Sequence, residues 1–249
     1  MTASPRWSSL LRSEWTKLAT VRSTWWCAAV YADVVLGLGW LAAAVTDRAP
    51  RADIAVTVAL TGFGIGQLVL VVQGVLAGAG EFTTGMAVAS FATVPRRRRL
   101  LAAKVLVLAA GTAVLSAVLA AGCDLAARAL TAVDGGIPLT DPAVLRALGL
   151  QVAFATLVTV LSVAVGTLLR SVAGGTGIVL ALVLVLPPLL GADGRRLTRV
   201  LGEALPALRV GAEPFLAGPD AWTAGLAVLG AWALVGWVLA AAVLERRDV

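Results

Sequence analysis

Glu81-Phe82-Thr83-Thr84-Gly85-Met86 opens a polar interval that continues through Val94-Pro95-Arg96-Arg97-Arg98-Arg99 to Lys104, between two long hydrophobic runs. Five of the chain's 20 basic residues fall within these 24 positions. A charge cluster between two membrane-length segments fixes the side of the bilayer on which that loop lies, and the alternation of spans then fixes the rest. The interval therefore reads as the inner loop of an all-α, polytopic membrane protein, and as a charged surface on which a soluble partner could push.

Working outward, the composition agrees. The chain has 249 residues, 59% of them hydrophobic and 14% charged, with a mean hydropathy of +0.93. Soluble domains carry about a quarter charged residues, and could not hide this much apolar surface. A single transmembrane domain over residues 1–249 is expected. There is no histidine, which removes the commonest general base and the commonest metal ligand. Cys27 and Cys123 lie 96 positions apart in separate apolar segments, so neither a Cys-x-x-Cys site nor a disulfide framework is available. The net charge of +6 is spread around hydrophobic spans, which argues against a nucleic-acid partner. Lys17 and Lys104 complete no Walker-type loop, so the chain carries no nucleotide site of its own and is not expected to be an enzyme or to hold a cofactor.

Six segments reach the roughly 20 apolar residues that cross a bilayer as helix: about 24–45, 56–80, 100–123, 143–169, 172–190 and 221–243. Asp141-Pro142 and Pro219-Asp220 supply helix-start chemistry for the fourth and sixth. With the N-terminus inside, twelve Lys and Arg fall on the inner side and eight on the outer, and four acids lie inside against nine outside. The Arg96–Arg99 block decides the orientation, with both termini cytoplasmic and the plasma membrane as the location. A cleaved signal peptide is disfavoured, because the first apolar run is long and follows more than 20 polar and amphipathic residues.

Two amphipathic pieces lie outside the spans. Over 5–22, Trp7, Leu11, Trp15 and Leu18 share one stripe that continues to Trp25, while Arg6, Ser9, Arg12, Ser13 and Lys17 fall largely off it. This predicts a cytoplasmic interfacial helix resting on membrane lipid, or a lever against a partner. In the outer segment, Leu197, Val200, Leu201, Ala204, Leu205 and Leu208 predict a short interfacial helix between spans five and six. Inside the spans, Asp33 is an intramembrane carboxylate, which costs about 2.5–3.5 kcal/mol without a partner, water or a proton. Gln67 and Gln73 are candidates for hydrogen bonds across helices, and the glycines of Gly62 to Gly66, with Gly74 and Gly78, should bring helix backbones close.

These residues carry a resemblance. Leu11-Arg12-Ser13-Glu14-Trp15-Thr16-Lys17-Leu18-Ala19-Thr20-Val21-Arg22-Ser23-Thr24-Trp25-Trp26 is close to the opening signature of short actinobacterial permeases of type-2 ATP-binding cassette exporters. Glu81-Phe82-x-x-Gly85-Met86, then Val94-Pro95-Arg96-Arg97 and Leu101-Ala102-Ala103-Lys104, resembles the loop after that family's second span. The resemblance implies a membrane subunit that pairs with a second permease subunit and with two ATPase subunits. It also implies a coupling loop over 81–99, in which Glu81, Phe82, Gly85 and Met86 open the coupling element and Pro95 with Arg96 close it. Asp33 departs from the neutral residue expected there. The apolar spans favour a lipophilic or amphipathic export substrate. Two rivals stand beside this reading: a non-transporting scaffold or sensor subunit, and an ion-coupled secondary transporter using intramembrane acids.

Overall fold

The computed structural model describes residues 7–46, 52–83, 97–131, 142–185 and 219–246; these form helices, with no strand among them. Helix α1 spans Trp7–Thr20 and α2 Arg22–Val45. Between them Val21 is extended at φ −79° and ψ 117°, so the amphipathic helix and the first span are separate rods with a one-residue hinge. Then come α3 (Ala52–Thr83), α4 (Arg97–Thr131), α5 (Pro142–Leu169), α6 (Val172–Leu180) with a π-helical turn at Ala181–Val185, and α7 (Pro219–Arg246).

Five of these, α2, α3, α4, α5 and α7, are long and apolar enough to cross a bilayer, the architecture of a multi-pass membrane protein. They cover five of the six expected spans. Of the expected fifth span, 172–190, residues 172–185 are described; these are helical and, at about 1.5 Å per residue, fall short of a full crossing. The remainder of that span, and the expected outer helix with Leu197 to Leu208, lie outside the described residues.

Helices α3 and α4 are longer than the spans read from hydropathy. With 32 and 35 residues, at about 1.5 Å each they overshoot a bilayer core of about 30 Å. Part of the overshoot falls on the polar interval, so the expected loop over 81–99 is helix at both ends: Glu81 to Thr83 close α3, and Arg97 to Arg99 open α4; the rest extends the opposite ends, at 52–55 and 124–131. Charged residues continue a helix readily once it has left the apolar layer, where a hydropathy window stops counting them.

Helix α3 lies between α2 and α5, and its glycines explain how closely. A β-carbon on Gly62 would sit 2.3 Å from the Val35 carbonyl oxygen of α2, and one on Gly78 would sit 2.3 Å from the Val163 carbonyl oxygen of α5. Gly66 faces Tyr31 and Val35, and Gly74 faces Thr159 and Ser162. Only a hydrogen fits at these crossings, and the close approach yields the dispersion contacts that drive association in lipid. In the core the Tyr31 ring meets Phe63 edge-on at 6.2 Å, and its hydroxyl shares a 2.9 Å hydrogen bond with Ser116 of α4.

Contacts place α1, the end of α3, the start of α4, the α5–α6 junction and the end of α7 at one end of the bundle. Leu18, Ala77, Phe82, Leu101, Leu168 and Leu244 pack together there, and Arg98 pairs with Glu245. The opposite end joins Ala43, Val56, Ala127 and Val144, with Arg128 gripping Asp124 through Nε at 2.7 Å.

Candidate functional site

Helix α1 is seated on the bundle by a face that hydropathy does not single out. Leu10 and Glu14 are buried, whereas Trp7 and Trp15 of the expected stripe are exposed. The expected stripe is thus split: Trp7 and Trp15 point away from the bundle, Leu11 and Leu18 pack against it, and Lys17, expected off the stripe, lies on the packed side. The physical reason is that Lys17 of the same helix neutralises Glu14, and Glu81, distant in sequence, helps to hold Lys17.

Those partners form an alternating chain of charge. Lys17 Nζ lies 2.8 Å from Glu14 Oε1 and 3.2 Å from Glu81 Oε1. The same Glu81 oxygen lies 2.8 Å from Lys104 Nζ, which also donates to the Ala77 carbonyl at 3.1 Å. Minus, plus, minus, plus: α1, α3 and α4 are joined through one carboxylate. The side chains of Glu14, Glu81 and Lys104 are 2%, 11% and 10% exposed, that of Lys17 39%. Burial pulls the Lys17 pKa down, but the hydrogen bond and charge of Glu14, followed by those of Glu81, outweigh it and hold the pKa above the ordinary lysine value.

Beside this chain lies a cavity of about 420 Å³, walled by α1, α2, α3 and α4. Glu14, Lys17, Glu81 and Lys104 line its charged side, Leu18, Val21, Leu76 and Ala77 supply apolar wall, and Gln73, Cys27, Ser23 and Thr24 complete it. Gln73 is eight residues from Glu81, or about 12 Å along α3, so the cavity runs from the charged end into the span. Cys27 is half-buried on the cavity wall, whereas Cys123 is buried elsewhere.

At the same end, α5 and α6 meet in a two-residue joint. Arg170 adopts the left-handed conformation at φ 52°, and its backbone N–H closes the last turn of α5 on Gly166 at 3.0 Å. Ser171 then caps α6, its hydroxyl accepting from the Gly174 N–H at 3.2 Å. The Arg170 guanidinium lies over the Phe82 ring, 4.8 Å from its centre, a cation–π contact. Its Nε and one Nη are buried without a hydrogen-bond partner among the described residues.

The sequence-derived residues therefore separate into groups. Glu81 and Phe82 are brought together with α1, α4 and the α5–α6 joint, and both turn toward neighbouring helices of the bundle. Gly85, Met86, Pro95 and Arg96 lie outside the described residues. Gln73 reaches the cavity, but Gln67 does not bridge helices; its side chain donates to the Gly64 carbonyl of its own helix at 2.8 Å. Asp33 stands apart, on an exposed face of α2 that also carries Val30, Leu36 and Trp40, and forms no ion pair with a described residue. Glu14, Lys104 and Arg170 were missed as site residues. For Glu14 and Lys104 the sequence signal was a charge within an amphipathic or apolar run; Arg170 gave none beyond its place in the link between two expected spans.

Among the described residues no group of His, Cys, Asp or Glu could hold a metal ion. No family model matches the chain, and none of the curated proteins matches it in sequence.

Proposed function

We propose that the chain is the membrane subunit of an ATP-binding cassette exporter of type 2, working at the plasma membrane with six spans and both termini cytoplasmic. Two copies, or one copy with a second permease subunit, would pair with two separate ATPase subunits and move a lipophilic or amphipathic compound. The observation that carries the reading is the Glu81 bridge. An interfacial helix, the helix before the largest inner loop and the helix after it are tied at one carboxylate. A push on the 84–96 segment is thereby delivered to α1, α3 and α4 together.

This refines the role expected for the interval. Glu81 is 11% exposed and engaged on both sides, so it serves as the internal tie that spreads a displacement, and contact with the ATPase falls to residues beyond Thr83. When ATP binding draws the ATPase subunits together, the state of the bundle that fits the closed pair gains population in proportion to its differential affinity. Phe82 beneath Arg170 links the same movement to the α5–α6 joint, which is too short to form a docking surface itself.

The ion-coupled alternative needs an enclosed acid within the spans. Asp33 lies on an exposed face of α2, and the buried Asp124 is already neutralised by Arg128 near the end of α4, so neither favours that alternative. The test is co-expression with candidate ATP-binding cassette ATPases, starting with any encoded beside this chain. A complex that survives purification, and whose ATPase activity rises on assembly, is expected. A chain that stays alone with every candidate ATPase sinks the proposal and leaves the scaffold reading.

A further inference from the structure

We infer that the cavity between α1, α2, α3 and α4 is a binding site for a zwitterionic amphiphile, a molecule carrying an ammonium and a phosphate or carboxylate on an apolar body. The inference deepens the exporter reading by naming what the chamber accepts. It is measured on this chain alone, so that it can fail without the exporter reading failing, and the reverse.

Size sets the first limit. At about 420 Å³ the cavity falls in the range of about 300–1,000 Å³ typical of small-molecule sites. It suits a headgroup with the first part of its tail, and is too small for a whole two-chain lipid. Polarity sets the second. The charged groups crowd one side, while Leu18, Val21, Leu76 and Ala77 leave apolar wall toward Gln73. A ligand that fits is polar at one end and apolar at the other.

Charge selects among such ligands. The chain Glu14–Lys17–Glu81–Lys104 alternates in sign and sums to zero. A lone anion or cation entering would leave one uncompensated charge beside the largely buried Glu14, Glu81 and Lys104, which is expensive. A zwitterion adds one charge of each sign and preserves the balance. Lys17 is the most exposed member and offers its ammonium to the ligand's anion. The ligand's ammonium then lies toward Glu14, which lines the same wall.

Cys27 on the cavity wall provides the readout, with buried Cys123 as the internal control for folding. The purified full-length chain in a non-ionic detergent is alkylated with N-ethylmaleimide, and the rate at Cys27 is followed by mass spectrometry. Four probes are compared: lysophosphatidylethanolamine, glycerophosphoethanolamine without a tail, lysophosphatidylglycerol and an alkyltrimethylammonium of equal chain length. We expect lysophosphatidylethanolamine to slow Cys27 saturably, by about tenfold at about ten times its Kd, with the singly charged amphiphiles giving little protection. Equal protection by glycerophosphoethanolamine would identify a free soluble zwitterion as the ligand's source; protection that needs the tail would identify a lipid. The pair Glu14→Gln with Lys17→Gln should abolish protection while Cys123 stays unreactive. Ser23→Phe, which narrows the cavity from an exposed position, should weaken it without touching the ion chain. Absence of protection by both zwitterions, or equal protection by amphiphiles of every charge, overturns the inference.

Discussion

Replacing Glu81 by Gln preserves its shape and removes the one carboxylate shared by Lys17 and Lys104. Lys104 is 10% exposed and keeps the Ala77 carbonyl at 3.1 Å and a neutral amide oxygen, but no opposite charge. Breaking a buried pair by removing one partner costs about 3–5 kcal/mol, and the surviving carbonyl contact puts this case near about 3. Lys17 is 39% exposed and retains Glu14 at 2.8 Å, so its share is that of a partly solvated pair, below about 1 kcal/mol. At about 2–4 °C per kcal/mol for a chain of this size, the melting temperature should fall on the order of 10 °C. The assay is thermal unfolding in detergent in a Cys27→Ala background, with the buried Cys123 thiol reporting exposure to a fluorogenic maleimide. Adding Lys104→Met removes the stranded ammonium and should restore most of the loss. A shift under about 2 °C for Glu81→Gln, or a double variant no better than the single one, would refute the account of Glu81 as the tie.

Three further outcomes are expected. Gly78→Ala places a methyl 2.3 Å from the Val163 carbonyl oxygen and should destabilise by about 1–3 kcal/mol or more, whereas Gly37→Ala meets nothing within 4 Å and should be near neutral by the same melt. Tyr31→Phe loses the 2.9 Å bond to Ser116 and should cost about 0.6–1 kcal/mol; adding Ser116→Ala should cost little more, and full additivity in the double-mutant cycle would deny the bond. The Lys17 pKa is raised above its ordinary 10.5, so its ion-pair stabilisation is complete below that pH and is lost as pH climbs through the raised value. A melting-temperature profile should therefore show an alkaline step that Lys17→Met removes.

The helices were largely legible, because apolar runs and their breaks depend on neighbours along the chain. The expected 24–45 became Arg22–Val45 and 143–169 became Pro142–Leu169. The small-residue crossings at Gly62, Gly66, Gly74 and Gly78 were legible too, since little else explains glycine spaced by four in a span. The site was less so. Glu81 stood out, yet its partners lie 64 and 23 positions away at Lys17 and Lys104, and no local pattern announces pairing over such distances. For α1, hydropathy favoured the tryptophans over Glu14. An aromatic stripe can rest on a lipid surface as readily as on a protein, whereas a glutamate is buried only where a partner waits.

The uneven sharing of contacts among the spans has a consequence for biosynthesis. The apolar window of α5 is 56% buried within the protein, that of α2 only 22%. Yet α2 leaves the ribosome first of the long helices and α5 fourth. The early helices can pair through Gly62, Gly66 and Tyr31, but the Gly74 and Gly78 face of α3 must wait in lipid until α5 arrives. Insertion followed by lateral association permits this order. A ribosome stalled before residue 142 should hold α2, α3 and α4 in the membrane with the Gly74 and Gly78 face of α3 still open to lipid.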